Sequence, residues 1–251
     1  MDKDPFPTCY VCLAKDRCKK RTGKLEFTDV LSGECGGFVI LQKAIELSGI
    51  PKEFRYATKD NYIFDDDNMK YKDVLMEHFV RVIDLVKKGA NTLFVSKQKG
   101  TGKTRAACTI GNEFILKTCL DPRWFDFENP LVLYVKYGQW ANSLRSMHLI
   151  GDQATNKRVH NFVEKMKNVP LLIIDDIGSG RITPIVQDLT YDVIDYRKEN
   201  QLSTIYTSNI LPDDLEKSNY LGDIIVSRML YRTTVIELSG KDRRREAVYY
   251  P

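Results

Sequence analysis

The stretch Asn91-Thr92-Leu93-Phe94-Val95-Ser96, followed at once by Lys97-Gln98-Lys99-Gly100-Thr101-Gly102-Lys103-Thr104-Arg105, decides how this chain folds. Its first six residues form a short β-rich run, and a helical stretch follows the glycines. Strand, glycine loop and helix in that order make a P-loop unit. Gly100 and Gly102 let backbone N–H groups curl around phosphates, and the next helix turns its positive N-terminal end towards them. In such a loop Lys103 reaches the β and γ phosphates of ATP, and the Thr104 hydroxyl ligates Mg²⁺. Lys99, Thr101 and Arg105 are assigned to the same nucleotide-binding loop. Where the pattern G-x-x-x-x-G-K-T has its first glycine, this chain carries Lys97.

Working outward, the partner of the loop is Leu171-Leu172-Ile173-Ile174-Asp175-Asp176. Four apolar residues read as a strand buried on both faces, ending in two carboxylates. Ligands of open α/β sheets bind beyond the carboxyl ends of the strands, which brings both aspartates to the P-loop. Asp175 is suited to hold hydrated Mg²⁺, and Asp176 to orient or deprotonate the attacking water. A further strand, Ser203 to Thr207, ends in Ser208-Asn209, whose amide can hold a γ-phosphate or its water. Downstream, Ile224 to Leu230 is a helical pattern carrying Arg228, and 238–245 is a basic cluster that includes Arg244. The fold class expected is α/β with a parallel sheet.

The chain has 251 residues, room for one full domain and a smaller appendage. With 43% apolar residues it can build a core, and a net charge of +4 excludes a wholly electrostatic nucleic-acid binder. No run of eighteen apolar residues exists, and Met1 to Pro5 lacks the features of a signal peptide. The expectation is a soluble, cytoplasmic protein with reduced thiols.

Four of the six cysteines, Cys9, Cys12, Cys18 and Cys35, fall in the first 35 residues. A segment so short has little apolar material for a core, whereas four thiolates can surround one Zn²⁺ tetrahedrally. Structural zinc contributes about 10–16 kcal/mol in small modules. An iron–sulfur cluster uses the same donors, so zinc is the expectation and iron the alternative. Four thiolates leave no open position for catalysis. Phe38 to Ser48 reads as an amphipathic helix stopped by Gly49 and Pro51, which sets the expected boundary between an N-terminal module (1–50) and an ATPase domain (51–251). Leu75 to Lys88 reads as a single helix, and Asp65-Asp66-Asp67 as a solvated acidic patch.

Taken together, these motifs resemble the DnaC/DnaI-type replicative helicase loaders and the related IstB-like transposition ATPases, a branch of the AAA+ superfamily. The matching strings are Ser48-Gly49-Ile50-Pro51, the P-loop, residues 171–178, residues 191–209, Ser227-Arg228-Met229 and Gly240-x-Asp242-x-Arg244. The resemblance covers roughly Val39 to the C-terminus. It implies a three-layer AAA+ sandwich with a reduced lid, Asn209 as the sensor-1 residue, and Arg244 as a sensor-2-like contact. Arg228 would be an arginine finger serving a neighbouring subunit, so an ATP-dependent homo-oligomer is implied. The loop Ser179-Gly180-Arg181 departs from many relatives, which carry a small residue and an acid there.

The resemblance also implies partners: a DnaB-type hexameric helicase docked by the N-terminal module, and single-stranded DNA. For the DNA, the segment Tyr137 to Lys167 is the expected insertion, because it interleaves Tyr137 and Trp140 with Arg145, Lys157, Arg158 and Lys165. His78, His148 and His160 are isolated and carry no assigned chemistry. Alternatives to a helicase loader are an IstB-like ATPase serving a transposase and a nucleotide-controlled, helicase-binding adaptor with little turnover.

Overall fold

The computed structural model describes residues 12–14, 30–31, 34–119, 121, 123–124, 127–150, 152–217 and 219–242. A two-residue antiparallel hairpin, β1 (Val30–Leu31) and β2 (Glu34–Cys35), leads into α1 (Gly36–Leu47). Three single 3₁₀ turns then carry the chain to α2 (Lys72–Val80) and α3 (Val82–Lys87). The sheet elements follow in alternation: β3 (Asn91–Val95), α4 (Lys103–Thr118), β4 (Val132–Lys136), α5 (Tyr137–Ile150), α6 (Gln153–Asn168), β5 (Leu171–Asp175). The described chain ends through α7 (Pro184–Glu199), β6 (Ser203–Ser208), α8 (Pro212–Leu215), α9 (Asp223–Met229) and β7 (Thr233–Glu237).

All five main strands run parallel, in the order β4-β5-β6-β3-β7. Side chains alternate across a strand, so each strand feeds both faces of the sheet. Phe94, Leu171, Ile173, Ile205 and Ile236 face a core built with α1 to α4. Leu93, Val95, Leu172, Ile174 and Tyr206 face a second core built with α5, α6, α7 and α9. This is the expected α/β class with helices on both faces.

Leu41, Ala44 and Ile45 of α1 are buried in the same cluster as Ala106, Ala107 and Ile110 of α4. The amphipathic stripe expected over 38–48 is therefore used for packing. Leu75 to Lys88 is not one helix but two, broken at Arg81, where ψ rises to 16°. The Lys117 ammonium donates to the Phe79 and Val80 carbonyls at the break, at 3.0 and 2.6 Å, and satisfies acceptors a continuous helix would have used. β4 and β7, neither of which is assigned in the sequence reading, are the two edge strands. The β4 edge is capped: the Tyr134 N–H donates to the Ser48 carbonyl at 2.8 Å.

Arg197, only 1% exposed, clamps the second core to the sheet. Its guanidinium donates to the carbonyls of Met166, Lys167, Val169 and Ser203 and to the Thr204 hydroxyl. Burial lowers its pKa to about 9, which leaves it cationic at neutral pH. It ties the C-terminus of α6 to the start of β6. No helix among the described residues is long and apolar enough to cross a membrane.

Candidate nucleotide site

The site lies at the carboxyl ends of β3, β5 and β6. Gly100 and Gly102 take φ of +71° and +92°, left-handed values that only glycine adopts without strain, and α4 starts directly after them. Lys103, 7% exposed, folds over the loop and donates to the Gln98 carbonyl at 3.0 Å. Thr104 opens α4 beside β5, and its hydroxyl donates to Asp175 Oδ1 at 2.8 Å. Arg105 points the other way, donating to the Asn61 carbonyl at 3.0 Å with its guanidinium 5.9 Å from the Tyr62 ring centre. Lys97 and Lys99 are exposed at the loop's outer side.

Strand order explains how the two acidic positions meet the loop. β6 lies between β3 and β5, so its end fills the gap between the P-loop and the aspartates. Thr207 of β6 donates its hydroxyl to Asp175 Oδ1 at 2.7 Å and accepts the Asp176 N–H at 2.8 Å. Asp176 stands at φ +59°, a left-handed turn that short polar side chains tolerate. Its Oδ1 accepts from the Asn209 amide at 2.5 Å. The other Asp175 oxygen, Oδ2, accepts from the Tyr134 hydroxyl of β4 at 2.7 Å. Burial, reinforced by the Asp175 charge, pushes the Tyr134 phenol well above its ordinary pKa, so it remains a donor. A hydroxyl and a carboxylate that is 4% exposed form an all-oxygen donor set, the kind that suits Mg²⁺.

Two features were not read from the sequence. Tyr134 and Thr207 hold Asp175, yet each looks like an ordinary strand residue; only strand order places both beside the acid. The second is the return of the C-terminal segment onto the P-loop. The Gly240 N–H donates to Gln98 Oε1 at 3.0 Å, and the Lys241 N–H to Asp67 Oδ2 at 3.4 Å. Asp242 packs so closely on Gly100 that a Cβ there would lie 1.8 Å from its Oδ1. The acidic patch is therefore partly structural, through Asp67. Beside the Thr104–Asp175 corner opens a cavity of about 760 Å³ between the 49–54 segment, β4, α5 and α6.

Other expected site residues lie apart from this corner. Arg228 donates to Asp195 of α7 and to the Ile224 carbonyl, and its guanidinium stacks 4.8 Å from the Tyr191 ring centre. The hydrogen bond to Asp195 raises its pKa further. Arg244, Cys9 and Cys18 lie outside the described residues. Cys12 and Cys35 are half-buried, and among the described residues no group of three His, Cys, Asp or Glu side chains gathers for a metal. Burial pushes the Cys108 thiol up, which keeps it an inert thiol in α4.

The base-stacking role expected for Tyr137 and Trp140 is overturned. Tyr137 is 0% exposed and pairs its hydroxyl with Thr190, and Trp140 is 7% exposed against it. Both rings are spent on the core beneath α5. Lys157, Arg158 and Lys165 of that segment are exposed.

A P-loop separated from its acidic strand by one strand that ends at the polar residue Asn209 is the arrangement of an AAA+-like P-loop fold. In sequence the chain is similar to replicative helicase loaders. It is 27% identical over 182 residues to the replicative helicase loader DnaI of Bacillus subtilis, a match covering 66% of this chain and 53% of that protein. Against the replicative helicase loader DnaC of Buchnera aphidicola it is 25% identical over 189 residues, covering 75% of this chain and 69% of the relative. It thus matches only about half the length of the first of these relatives. A crystal structure of DnaI superposes with a TM-score of 0.59 at 22% identity, covering 80% of this chain and all of that one. No family model matches the chain.

Proposed function

We propose that this protein is an ATP-dependent replication factor that loads or remodels a DnaB-type hexameric helicase on single-stranded DNA. The observation that carries this reading is the corner in which Thr104 meets Asp175 while Asn209 holds Asp176. It has the parts of a hydrolytic site, and two of the relatives with which it shares sequence are named replicative helicase loaders.

In this reading Lys103 leaves its contacts within the loop to meet the nucleotide phosphates. Thr104 and Asp175 would hold Mg²⁺, which would supply charge neutralisation on those phosphates. Asp176, fixed by Asn209, accepts the proton of the attacking water. Arg228 sits on the surface between α7 and α9, partly paired with Asp195, where a neighbouring subunit's nucleotide can reach it. Assembly would then switch on turnover, and Arg244 would add a contact from the C-terminal segment that returns to the P-loop.

The N-terminal thiols Cys9, Cys12, Cys18 and Cys35 are proposed as a structural zinc module that docks on the helicase. Because α1 packs with α4, the division from the ATPase domain is proposed near the start of α1 in place of the boundary expected between residues 50 and 51. Cys12-Leu13-Ala14 packs against the first core, a position that anchors such a module. Metal analysis of the full chain should return about one zinc per chain, falling in a Cys9→Ser/Cys12→Ser variant; iron, or no metal, removes the assignment. The deciding experiment is co-purification with a hexameric replicative helicase. Retention that depends on ATP supports the loader, and no retention with or without nucleotide sinks it.

A further inference from the structure

We infer that Tyr134 is a positioning residue for the metal-holding carboxylate, a role that rests on the nucleotide-site reading above. The Asp175 carboxylate is tied at both oxygens, but by different elements. Oδ1 takes the hydroxyls of Thr104 and Thr207, and Oδ2 takes only the Tyr134 hydroxyl among the contacts described. Thr104 is the residue expected to turn from Asp175 to the metal. Once it does, Thr207 on one side and Tyr134 on the other remain to fix the plane of the carboxylate. Hydrogen bonds of this kind orient metal-binding carboxylates, and losing one typically costs about 10–100-fold in metal affinity.

Tyr134 is itself held in place. Its N–H is bonded to the Ser48 carbonyl, and the Ser48 hydroxyl is bonded in turn to the Ile45 carbonyl and the Ile50 N–H. The Ser48-Gly49-Ile50 turn therefore caps the sheet edge at the residue that reaches Asp175. Gly49 suits that turn because its φ is +68°, a left-handed value that favours glycine. The ring also forms one wall of the cavity between the 49–54 segment and α5–α6. A turn far from the P-loop in sequence is thus connected to the metal corner through one side chain.

The test uses the full-length protein and reads binding alone. Affinity for a fluorescent ADP analogue is measured while Mg²⁺ is titrated, in wild type and in Tyr134→Phe, with thermal unfolding of both. The expected result is a half-saturating Mg²⁺ concentration raised about tenfold in the variant, with equal affinity in EDTA and an unchanged folded baseline. An unchanged Mg²⁺ dependence overturns the role, as does an affinity loss of the same size with and without Mg²⁺. Wild-type protein that fails to bind the analogue under any condition overturns the nucleotide-site reading instead, and this inference falls with it.

Discussion

The Asn209 amide donates to the Asp176 carboxylate at 2.5 Å, so the residue after β6 holds the acid that directly follows β5. The two are 33 positions apart in sequence, and adjacent parallel strands bring them together. Asp176 also depends on Thr207, which accepts its backbone N–H. The acid on which hydrolysis would depend is thus positioned from the neighbouring strand.

That pairing predicts separable effects at the two residues. Asp176→Asn should lower the rate of ATP hydrolysis by about 10²–10⁴-fold while nucleotide affinity stays close to wild type. Asn209→Ala should show the same pattern with a smaller loss. Steady-state turnover alongside equilibrium nucleotide binding distinguishes this from a binding defect, which would lower both.

Arg228 provides a test of assembly. Its contacts are with Asp195, Ile224 and Tyr191, away from its own P-loop. Arg228→Ala alone and Lys103→Ala alone should each be inactive, at a cost of about 10³-fold or more where the finger operates. A mixture of the two should recover part of the activity, because intact sites can form at mixed interfaces. Full activity of Arg228→Ala would remove the finger.

Gly100 ties the P-loop to the C-terminal segment. Gly100→Ala adds a methyl group at φ +71° and drives it into Asp242. The expected cost in stability is about 1–3 kcal/mol. Weakened nucleotide binding should accompany it, because the segment cannot return to the loop undisturbed. Chemical denaturation and nucleotide titration check the two halves.

Arg197 concerns stability alone. Arg197→Leu leaves several buried carbonyls without their donor, and each such orphan costs about 1–3 kcal/mol. A loss of about 3 kcal/mol or more in unfolding free energy is expected. An exposed control on the same helix, Glu199→Gln, should change stability by less than about 0.5 kcal/mol.

Much of the corner was legible beforehand because its parts are local. The glycines announce a turn that only they can make, and four apolar residues ending in Asp175-Asp176 announce a buried strand. What stayed hidden depended on who becomes whose neighbour. Tyr137 and Trp140 look like base-stacking aromatics among basic residues, but α5 turns both into the core. The helix over 75–88 has a continuous apolar period, and its break at Arg81 is met by Lys117 of α4, which donates to the Phe79 and Val80 carbonyls of α2.

Sequence alone determined the strand–loop–helix unit, the two carboxylates, the Ser208-Asn209 strand end and the family likeness, all carried by contiguous strings whose backbone demands are short-range. Tertiary structure alone decided that Tyr134 and Thr207 hold Asp175, that Asp242 lies on Gly100, and that α1 packs with α4. Each of these joins residues from separate elements. The order β4-β5-β6-β3-β7 sets their distances, and no local pattern encodes that order.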